Sequence, residues 1–170
     1  AFGVATVASP ADPALFEPGR RFDFIWVASL FSHLPPSLFE AWLRRLHGCL
    51  APGGVLCFSV HDAWMVPGGQ PLPAAGFLFH PESENADLDS ALYGTMYVSE
   101  GYVADAVARV CGEGHGHHRI PRGLAHEQDL YLVAQAPGRE YGALRAFRHA
   151  FPAAPSRPTR SGIPDALRTC

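Results

Sequence analysis

The sequence contains no lysine, so all 13 of its basic residues are arginine. No physical requirement for arginine over lysine accounts for a complete absence, and we read it as coding bias. The 170 residues also contain no run of 18 or more apolar residues, and no basic start leads into an apolar segment as in a signal peptide. We therefore expect a chain that does not span a membrane.

Cysteines are few and scattered. Cys49, Cys57, Cys111 and Cys170 show no paired spacing of the kind found in zinc fingers or in a disulfide framework. With 48% apolar and 17% charged residues, the composition is that of a globular protein. These features favour a protein of the reducing cytoplasm.

The charge is distributed unevenly along the chain. Residues 1–136 carry seven arginines and fourteen acidic residues, whereas residues 137–170 carry six arginines and two acidic residues. An acidic main body is a poor partner for nucleic acid. We expect one domain over 1–136, with a lid-like insertion at 62–94, followed by an Arg/Pro-rich tail that is partly disordered.

An apolar strand, a helix and a second apolar strand follow one another in the first third of the chain. Residues 22–29, FDFIWVAS, have hardly a polar position, which is typical of a strand buried on both faces. Pro35 and Pro36 begin a helix whose apolar positions recur at helical spacing. Those positions are Leu38, Phe39, Trp42, Leu43, Leu46 and Leu50.

The stretch LAPGGVLCFSVHD at 50–62 ends that helix and begins the second strand. Pro52 blocks the helix, and Gly53-Gly54 supply the positive φ of a sharp turn before the apolar residues 55–60. Two such strands joined by a helix are parallel neighbours, in a sheet expected to have helices on both faces. A ligand crevice then lies beyond their carboxyl ends. We expect 62–94 to cover that crevice.

The remaining pattern predicts a short first strand, a second helix and a closing hairpin. Residues 4–7 are β-prone, Ser99 can cap a helix that Gly112 ends, and residues 128–134 read as a last strand with a hairpin partner within 116–124. The glycine motif GxGxG at 112–116 follows a predicted helix, whereas a cofactor-binding glycine motif follows a strand. We therefore interpret residues 112–116 as a helix stop and loop.

Four stretches of this pattern resemble, in their order and spacing, a known enzyme family. They are FDFIW to Ser29, His33-Leu34, the LAPGG turn at 50–54 and the strand at 55–59. Together they are similar to the C-terminal half of class I S-adenosylmethionine-dependent methyltransferases, over about residues 3–135. The resemblance implies an α/β fold with a partial doubly wound, mostly parallel Rossmann-like sheet and an antiparallel last strand. It also implies S-adenosylmethionine as cofactor and a small-molecule methyl acceptor.

One element of the family is missing. A glycine-rich turn after the first strand, followed by an acidic residue, holds the cofactor in this family, and neither precedes residue 22. On this resemblance residues 4–7 correspond to the third strand of the sheet. We therefore expect the chain to be the downstream part of a longer enzyme and to be inactive alone.

The resemblance assigns five residues to the cofactor side of the site. Ala28, Ser29 and Leu30 match the segment that lines the cofactor pocket after the first full strand. Ser9 lies where the family often contacts adenine, and His33 matches a frequent histidine at the start of the helix. For His33 we favour a role in tying loop to helix by hydrogen bonds.

His61 is the candidate catalytic residue. It ends the second strand beside the expected crevice, where a neutral imidazole can accept a proton from the methyl acceptor. Methyl transfer depends chiefly on alignment of nucleophile, methyl group and departing sulfur, so a dedicated base is optional.

Two other functions compete with this one. His115, His117 and His118, near Cys111 and His126, could bind a metal, although their spacing matches no closed tetrahedral site and we predict none. The chain could also be a non-catalytic partner module. A truncated sheet exposes an edge, so self-association through that edge is expected.

Overall fold

The computed structural model describes residues 5–82, 89 and 92–137. Its helices and strands are β1 (Phe22–Val27), α1 (Pro36–Gly48), β2 (Leu50–Asp62), β3 (Phe77–His80), β4 (Thr95–Val98), α2 (Glu100–Cys111), β5 (His118–Leu124) and β6 (Gln128–Ala134). Short 3-10 turns lie at Pro13–Leu15, Ala63–Met65 and Pro67–Gly69.

All six strands form one mixed sheet around β2. β1 pairs with β2 in parallel, with Ile25 opposite Leu56, which confirms the predicted crossover through α1. β6 pairs antiparallel with β2 and with β5, so the predicted hairpin and the antiparallel last strand are confirmed as well. The last two residues of β2 pair with β4, which carries β3 as its antiparallel partner.

The Pro-Gly-Gly sequence lies inside β2. Helix α1 ends at Gly48, and the strand begins at Leu50. The register between β1 and β2 then shifts, because the next paired residue after Leu50 is Val55. Gly53, at φ 78°, and its neighbours therefore form a bulge in the strand, and the expected turn after the helix is corrected to this bulge.

Both described helices pack against the same face of the sheet. One large core cluster joins the apolar stripe of α1 to that of α2 and to the inward residues of β2 and β6. Its members in these elements are Phe39, Trp42, Leu43, Leu46, Val103, Ala106, Val107, Leu56, Phe58, Val60, Tyr131 and Val133. The expected helices on both faces are thus found on one face within the described residues.

The opposite face carries a smaller apolar cluster that is built from strands. Cys57, Leu130 and Leu132 are buried there. No helix of the described part of the chain contributes to this cluster. On the neighbouring strand β1, Phe24 is 56% exposed and Trp26 is 47% exposed, on the same side as Cys57 by the pairing register. We call this surface the open sheet face.

Residues before β1 do not join the sheet. The predicted strand at 4–7 is wrong for residues 5–7, which are exposed and have no strand partner among the described residues, while Val4 lies outside them. The chain instead packs on α1, where the rings of Phe16 and Trp42 are 5.6 Å apart. The tail after Pro137, including its expected disorder, also lies outside the described residues.

The second helix begins and ends as its sequence predicts. The Ser99 hydroxyl accepts a hydrogen bond from the Tyr102 backbone N–H at 3.1 Å, and Gly112 ends the helix at φ 102°. Gly112 and Gly114 therefore belong to a helix stop and loop, as expected for 112–116.

A matched pair of glycine substitutions tests the bulge. A Cβ at Gly54 would lie 2.7 Å from the Phe22 carbonyl oxygen and 2.9 Å from that of Ala51, whereas one at Gly48 meets nothing within 4 Å. We expect Gly54→Ala to lower the free energy of unfolding by about 1–3 kcal/mol, because backbone must move. Gly48→Ala should leave it unchanged or raise it by up to about 1 kcal/mol. Equal effects in urea unfolding would contradict the bulge geometry.

Candidate functional site

The carboxyl ends of β1 and β2 meet at one edge of the sheet. Because these strands are parallel, Ser29, just beyond β1, comes beside Ser59 of β2. The backbone N–H of Ser29 donates a hydrogen bond to the Ser59 hydroxyl oxygen at 2.8 Å. The two predicted strand ends therefore lie side by side. We call this edge of the sheet, at the carboxyl ends of β1 and β2, the rim.

A glutamine from the last strand binds both strand ends. The Ser59 hydroxyl donates to Oε1 of Gln128 at 2.6 Å, and Nε2 of Gln128 donates to the Ser29 hydroxyl at 3.1 Å. The same Nε2 lies 3.2 Å from Nε2 of His61. Ser29, Ser59, His61 and Gln128 form what we call the Gln128 cluster.

Ser29 has an unusual backbone. Its φ is +57°, in the left-handed region that non-glycine residues seldom adopt. Such a conformation costs of order 1 kcal/mol and persists where surrounding contacts enforce it. Here the hydrogen bonds of the Gln128 cluster hold both the backbone N–H and the hydroxyl of Ser29.

His61 packs against two aromatic rings. Its ring centroid lies 5.9 Å from that of His33 and 5.5 Å from that of Tyr97 on β4. Burial, assisted by the neighbouring His33, lowers the pKa of His61 to about 4, although the nearby Met96 backbone opposes the shift. The imidazole is therefore neutral near pH 7.

His33 connects the segment before α1 to the segment before β4. Its Nδ1 lies 2.8 Å from the Gly94 carbonyl oxygen, and its own carbonyl accepts the Gly94 N–H at 2.8 Å. Its ring stacks on Tyr93, with centroids 4.8 Å apart. These contacts join His33 to the segment before β4, whereas the sequence predicts hydrogen bonds between loop and helix. His33 also forms one side of the His61 environment.

A group of charged residues lies next to His61, on the other side of the β2 end. The Arg119 guanidinium contacts three carboxylates: Asp129 at 2.6 Å, Glu100 at 2.8 Å and Asp62 at 3.1 Å. Asp129 is fully buried and Asp62 nearly so. Asp62, Glu100, Arg119 and Asp129 form what we call the Arg119 cluster.

Within the Arg119 cluster, the carboxyl group of Asp62 holds its proton more tightly than usual. Burial and the nearby Asp129 raise the pKa of Asp62 to about 6, despite the Trp64 N–H and Arg119 that favour its charged form. Hydrogen bonding to Arg119 lowers the pKa of Glu100. The cluster therefore links β2, α2, β5 and β6 through one arginine that serves three acids.

An open cavity of about 560 Å³ lies beside the strand ends. It is formed by the segment after β2, with Trp64, Met65, Pro67 and Gly69, and by Glu127 next to Gln128. The beginning of the predicted insertion at 62–94 thus borders the rim of the sheet. β3 and β4 continue the rim, because β4 pairs with the end of β2.

The structure brings most of the predicted site residues together. His61 and Ser29 meet through Gln128, His33 faces His61, and the Leu30 carbonyl accepts the His33 N–H at 2.9 Å. Ala28 is exposed at the same strand end. Ser9 is not brought to this group: it is exposed, and its hydroxyl donates to the carbonyl of its neighbour Pro10 at 3.4 Å.

Sequence reasoning missed Gln128 and Ser59 as members of the site. The sequence pattern predicts that both lie in strands and indicates no further role. A signal was available for Ser59, because a hydroxyl within the apolar run 55–60 is fully buried and therefore needs a hydrogen-bond partner. For Gln128 the sequence carries no such signal, because its position at the rim follows from the antiparallel direction of β6.

The histidines considered for a metal site have separate partners. Nε2 of His115 lies 3.2 Å from the Gln135 carbonyl oxygen, whereas His117 contacts Glu100 at 3.4 Å. Within residues 5–82, 89 and 92–137, no three His, Cys, Asp or Glu side chains are grouped to hold a metal. Cys49, Cys57 and Cys111 are free thiols.

The topology defines the class of fold. β1 and β2 are parallel and joined by a helix, and the antiparallel β6 lies between β2 and β5. The fold is therefore α/β, with a Rossmann-like sheet whose last strand is antiparallel. No helix in the described ranges is long and apolar enough to cross a membrane.

Similarity to known proteins is found among solved structures. No protein-family model and no curated protein matches the chain. Among solved structures, it is similar to 1,6-didemethyltoxoflavin-N1-methyltransferase of Burkholderia thailandensis, with bound 1,6-didemethyltoxoflavin and S-adenosylhomocysteine. The identity is 19%, over 75% of this chain and 48% of that one, with a TM-score of 0.47.

Two further solved structures are similar. One is an S-adenosylmethionine-dependent methyltransferase of Clostridium acetobutylicum, at 11% identity, 72% and 62% coverage of the two chains and a TM-score of 0.49. The other is an amino pentose methyltransferase of Micromonospora echinaspora with bound S-adenosylmethionine, at 15% identity, 74% and 63% coverage and a TM-score of 0.47. The chain spans less than two thirds of the length of each of these three proteins.

Replacing Asp62 tests the electrostatics of the Arg119 cluster. Because its folded pKa of about 6 exceeds the ordinary value of 3.8, the folded state binds the proton more tightly than the unfolded state. The protonated Asp62 carboxyl therefore stabilises the folded state below about pH 4, and this stabilisation is lost as the pH rises from about 4 to about 6. Asn cannot ionise and can still accept the Trp64 N–H, so Asp62→Asn should gain stability relative to the native chain across this window.

Urea unfolding at several pH values between 4 and 7.5 measures the effect. Asp105→Asn, at an exposed position of α2, provides the matched control for a change of net charge. A constant difference between Asp62→Asn and the native chain at every pH would show that the Asp62 carboxyl is not perturbed in the folded state.

Proposed function

We propose that this chain forms the carboxyl-terminal portion of a catalytic domain that transfers a methyl group from S-adenosylmethionine to a small molecule. One observation carries the proposal: antiparallel β6 joins parallel β1 and β2 so that all three contribute to one rim, which bears the family-like residues Ala28, Ser29 and Leu30. This is the arrangement that the resemblance in sequence implies.

The rim fits one side of a cofactor site. Ala28 is exposed just beyond the end of β1, and the next residue, Ser29, has a left-handed backbone with φ 57°. The other side does not fit, because no glycine-rich turn with a following acidic residue precedes residue 22. We infer that Ala28, Ser29 and Leu30 hold the cofactor only together with a further segment, and that the chain is inactive alone. Bound there, S-adenosylmethionine supplies an electrophilic methyl group.

His61 is the proposed proton acceptor. It lies at the rim, and because its pKa is lowered to about 4 its imidazole is neutral near pH 7. A base of this strength contributes little driving force, which suits a reaction that depends chiefly on alignment. For His33 we propose a supporting role, through its contacts with Gly94 and with the His61 ring.

We propose that the methyl acceptor binds in the cavity bordered by Trp64 and Glu127, which are close in sequence to His61 and Gln128. Its size, about 560 Å³, suits a small molecule. The insertion at 62–94 contributes most of the lining residues and is the proposed determinant of acceptor choice. The cytoplasm remains the expected location.

Titration with S-adenosylhomocysteine tests the cofactor assignment. We expect weak binding, with a dissociation constant of about 1 mM or above, because only one side of the site is present. The largest changes in a ¹⁵N–¹H NMR spectrum should occur at Ala28, Ser29 and Leu30. Adenosine diphosphate, which shares the adenosine moiety, serves as the comparison ligand.

Two results would count against this proposal. Micromolar binding by the chain alone, measured by calorimetry, would contradict its being an incomplete site. Changes confined to residues away from the rim, or identical changes with both ligands, would contradict the assignment of Ala28 to Leu30 to the methyl-donor side.

The alternative function, a non-catalytic partner module, is favoured by the open sheet face. Its exposed Phe24 and Trp26 lie on a strand whose second edge has no partner among the described residues. We propose that the isolated chain self-associates through this face and edge.

Sedimentation velocity of surface variants tests self-association. Burying one large apolar side chain is worth about 1.5–3 kcal/mol, so Trp26→Lys should weaken association by about tenfold or more. Leu15→Lys is the matched control, because Leu15 is 69% exposed but lies in the turn packed on α1. Monodisperse monomers of the native chain, or equal effects of both variants, would refute association through β1.

A further inference from the structure

Gln128 makes more polar contacts at the rim than the proposed function requires. Its amide bonds to the end of β1 through Ser29 and to the end of β2 through Ser59 and His61. It begins β6, so it is the residue through which the last strand reaches both other strand ends.

The direction of the hydrogen bonds follows from Ser59. Its hydroxyl oxygen accepts the Ser29 N–H, so its own proton has one short partner, the Gln128 side chain at 2.6 Å. That partner atom must be the carbonyl oxygen Oε1, because an NH₂ group cannot accept. The NH₂ group then faces the Ser29 hydroxyl and Nε2 of His61, which therefore acts as an acceptor.

The rest of the His61 surroundings agrees with a neutral ring. The groups that face it are His33 from the segment before α1, Tyr97 and the Met96 backbone from β4, and Gln128 from β6. Asp62 follows in the chain but directs its carboxylate to Arg119 and to the Trp64 N–H. A donor on Nε2 leaves the ring proton of the neutral imidazole on Nδ1, which is buried and has no hydrogen-bond partner within 3.5 Å among the described residues.

We propose that Gln128 is a positioning residue that fixes His61 as the neutral, Nδ1-protonated tautomer and holds Ser29 in its left-handed backbone conformation. The inference rests on the proposed function for its purpose, since these are the residues assigned to the proton acceptor and to the methyl-donor side. The proposed role of Gln128 applies to the protein without bound substrate. His61 accepts a proton on Nε2 only when the Gln128 amide turns away or rotates.

The isosteric change Gln128→Glu reverses one hydrogen bond. A carboxylate accepts where the amide NH₂ donates, so Nε2 of His61 should become protonated. We expect His61 to titrate near pH 4 in the native chain and above about pH 6 in Gln128→Glu, because an adjacent carboxylate favours the imidazolium. Ring ¹⁵N chemical shifts report both the tautomer and the titration.

Gln135→Glu is the matched control. It makes the same substitution just after the other end of β6, where the Gln135 N–H bonds to the Gly54 carbonyl oxygen. It should leave the His61 tautomer and titration unchanged. Thermal melts of all variants establish that each one is folded at the temperature of the NMR measurements.

Removal of the amide tests the effect on Ser29. In Gln128→Leu, the hydrogen-exchange protection of the Ser29 N–H should fall by about tenfold or more, because local opening of the turn becomes easier. Glu127→Leu, at the exposed neighbouring position, should not change it. Adding Ser29→Gly to Gln128→Leu should recover part of any lost thermal stability, since glycine accepts positive φ without strain.

The results separate this proposal from the methyl-transfer proposal. A native His61 with its proton on Nε2, an unchanged tautomer in Gln128→Glu, or unchanged protection of Ser29 in Gln128→Leu would overturn the role of Gln128. None of these measurements needs a methyl donor. If they agree with expectation while S-adenosylhomocysteine leaves Ala28 to Leu30 unaffected, Gln128 positions these residues and the proposed function is the part that fails.

Discussion

The parallel pairing of β1 with β2 is the interaction on which the rest of the molecule depends. It places the carboxyl ends of two buried strands side by side, and β6 completes the group by pairing antiparallel with β2. Every polar contact of the Gln128 cluster crosses between these three strands. If β2 ran in the opposite direction, Ser59 and His61 would lie at the far end of the sheet from Ser29.

The end of β2 separates two kinds of polar environment. His61 lies among rings and an amide, where burial keeps it neutral. The next residue, Asp62, joins a buried group in which three acids share Arg119. Adjacent residues of a strand point to opposite faces, so the chain places an uncharged polar site and a charged cluster next to each other without mixing them. The uncharged side borders the rim proposed for chemistry, and the charged side joins α2, β5 and β6 to β2.

Much of the fold follows from local sequence. The apolar runs of β1 and β2, the stripe of α1, and the cap and stop of α2 are short-range patterns whose physical causes act within a few residues. The strand expected at 4–7 shows the limit: its composition suits a strand, but a strand needs a neighbour to bond with, and residues 5–7 have none among the described residues. The Pro-Gly-Gly sequence shows a second limit, because glycine permits both a turn and a bulge, and the pairing with β1 selects the bulge.

The sequence by itself determined the crossover unit, the shared sheet edge at which Ala28 to Leu30 and His61 lie, and the absence from these 170 residues of a glycine-rich turn after a first strand. Only the tertiary structure decided that Gln128, almost 100 residues after Ser29, completes the rim, that Ser9 lies apart from it, and that both described helices share one face. The reason is physical. Propensity and periodicity act between near neighbours in the chain, whereas hydrogen bonds between strand ends depend on direction and register, which are settled when the whole sheet forms.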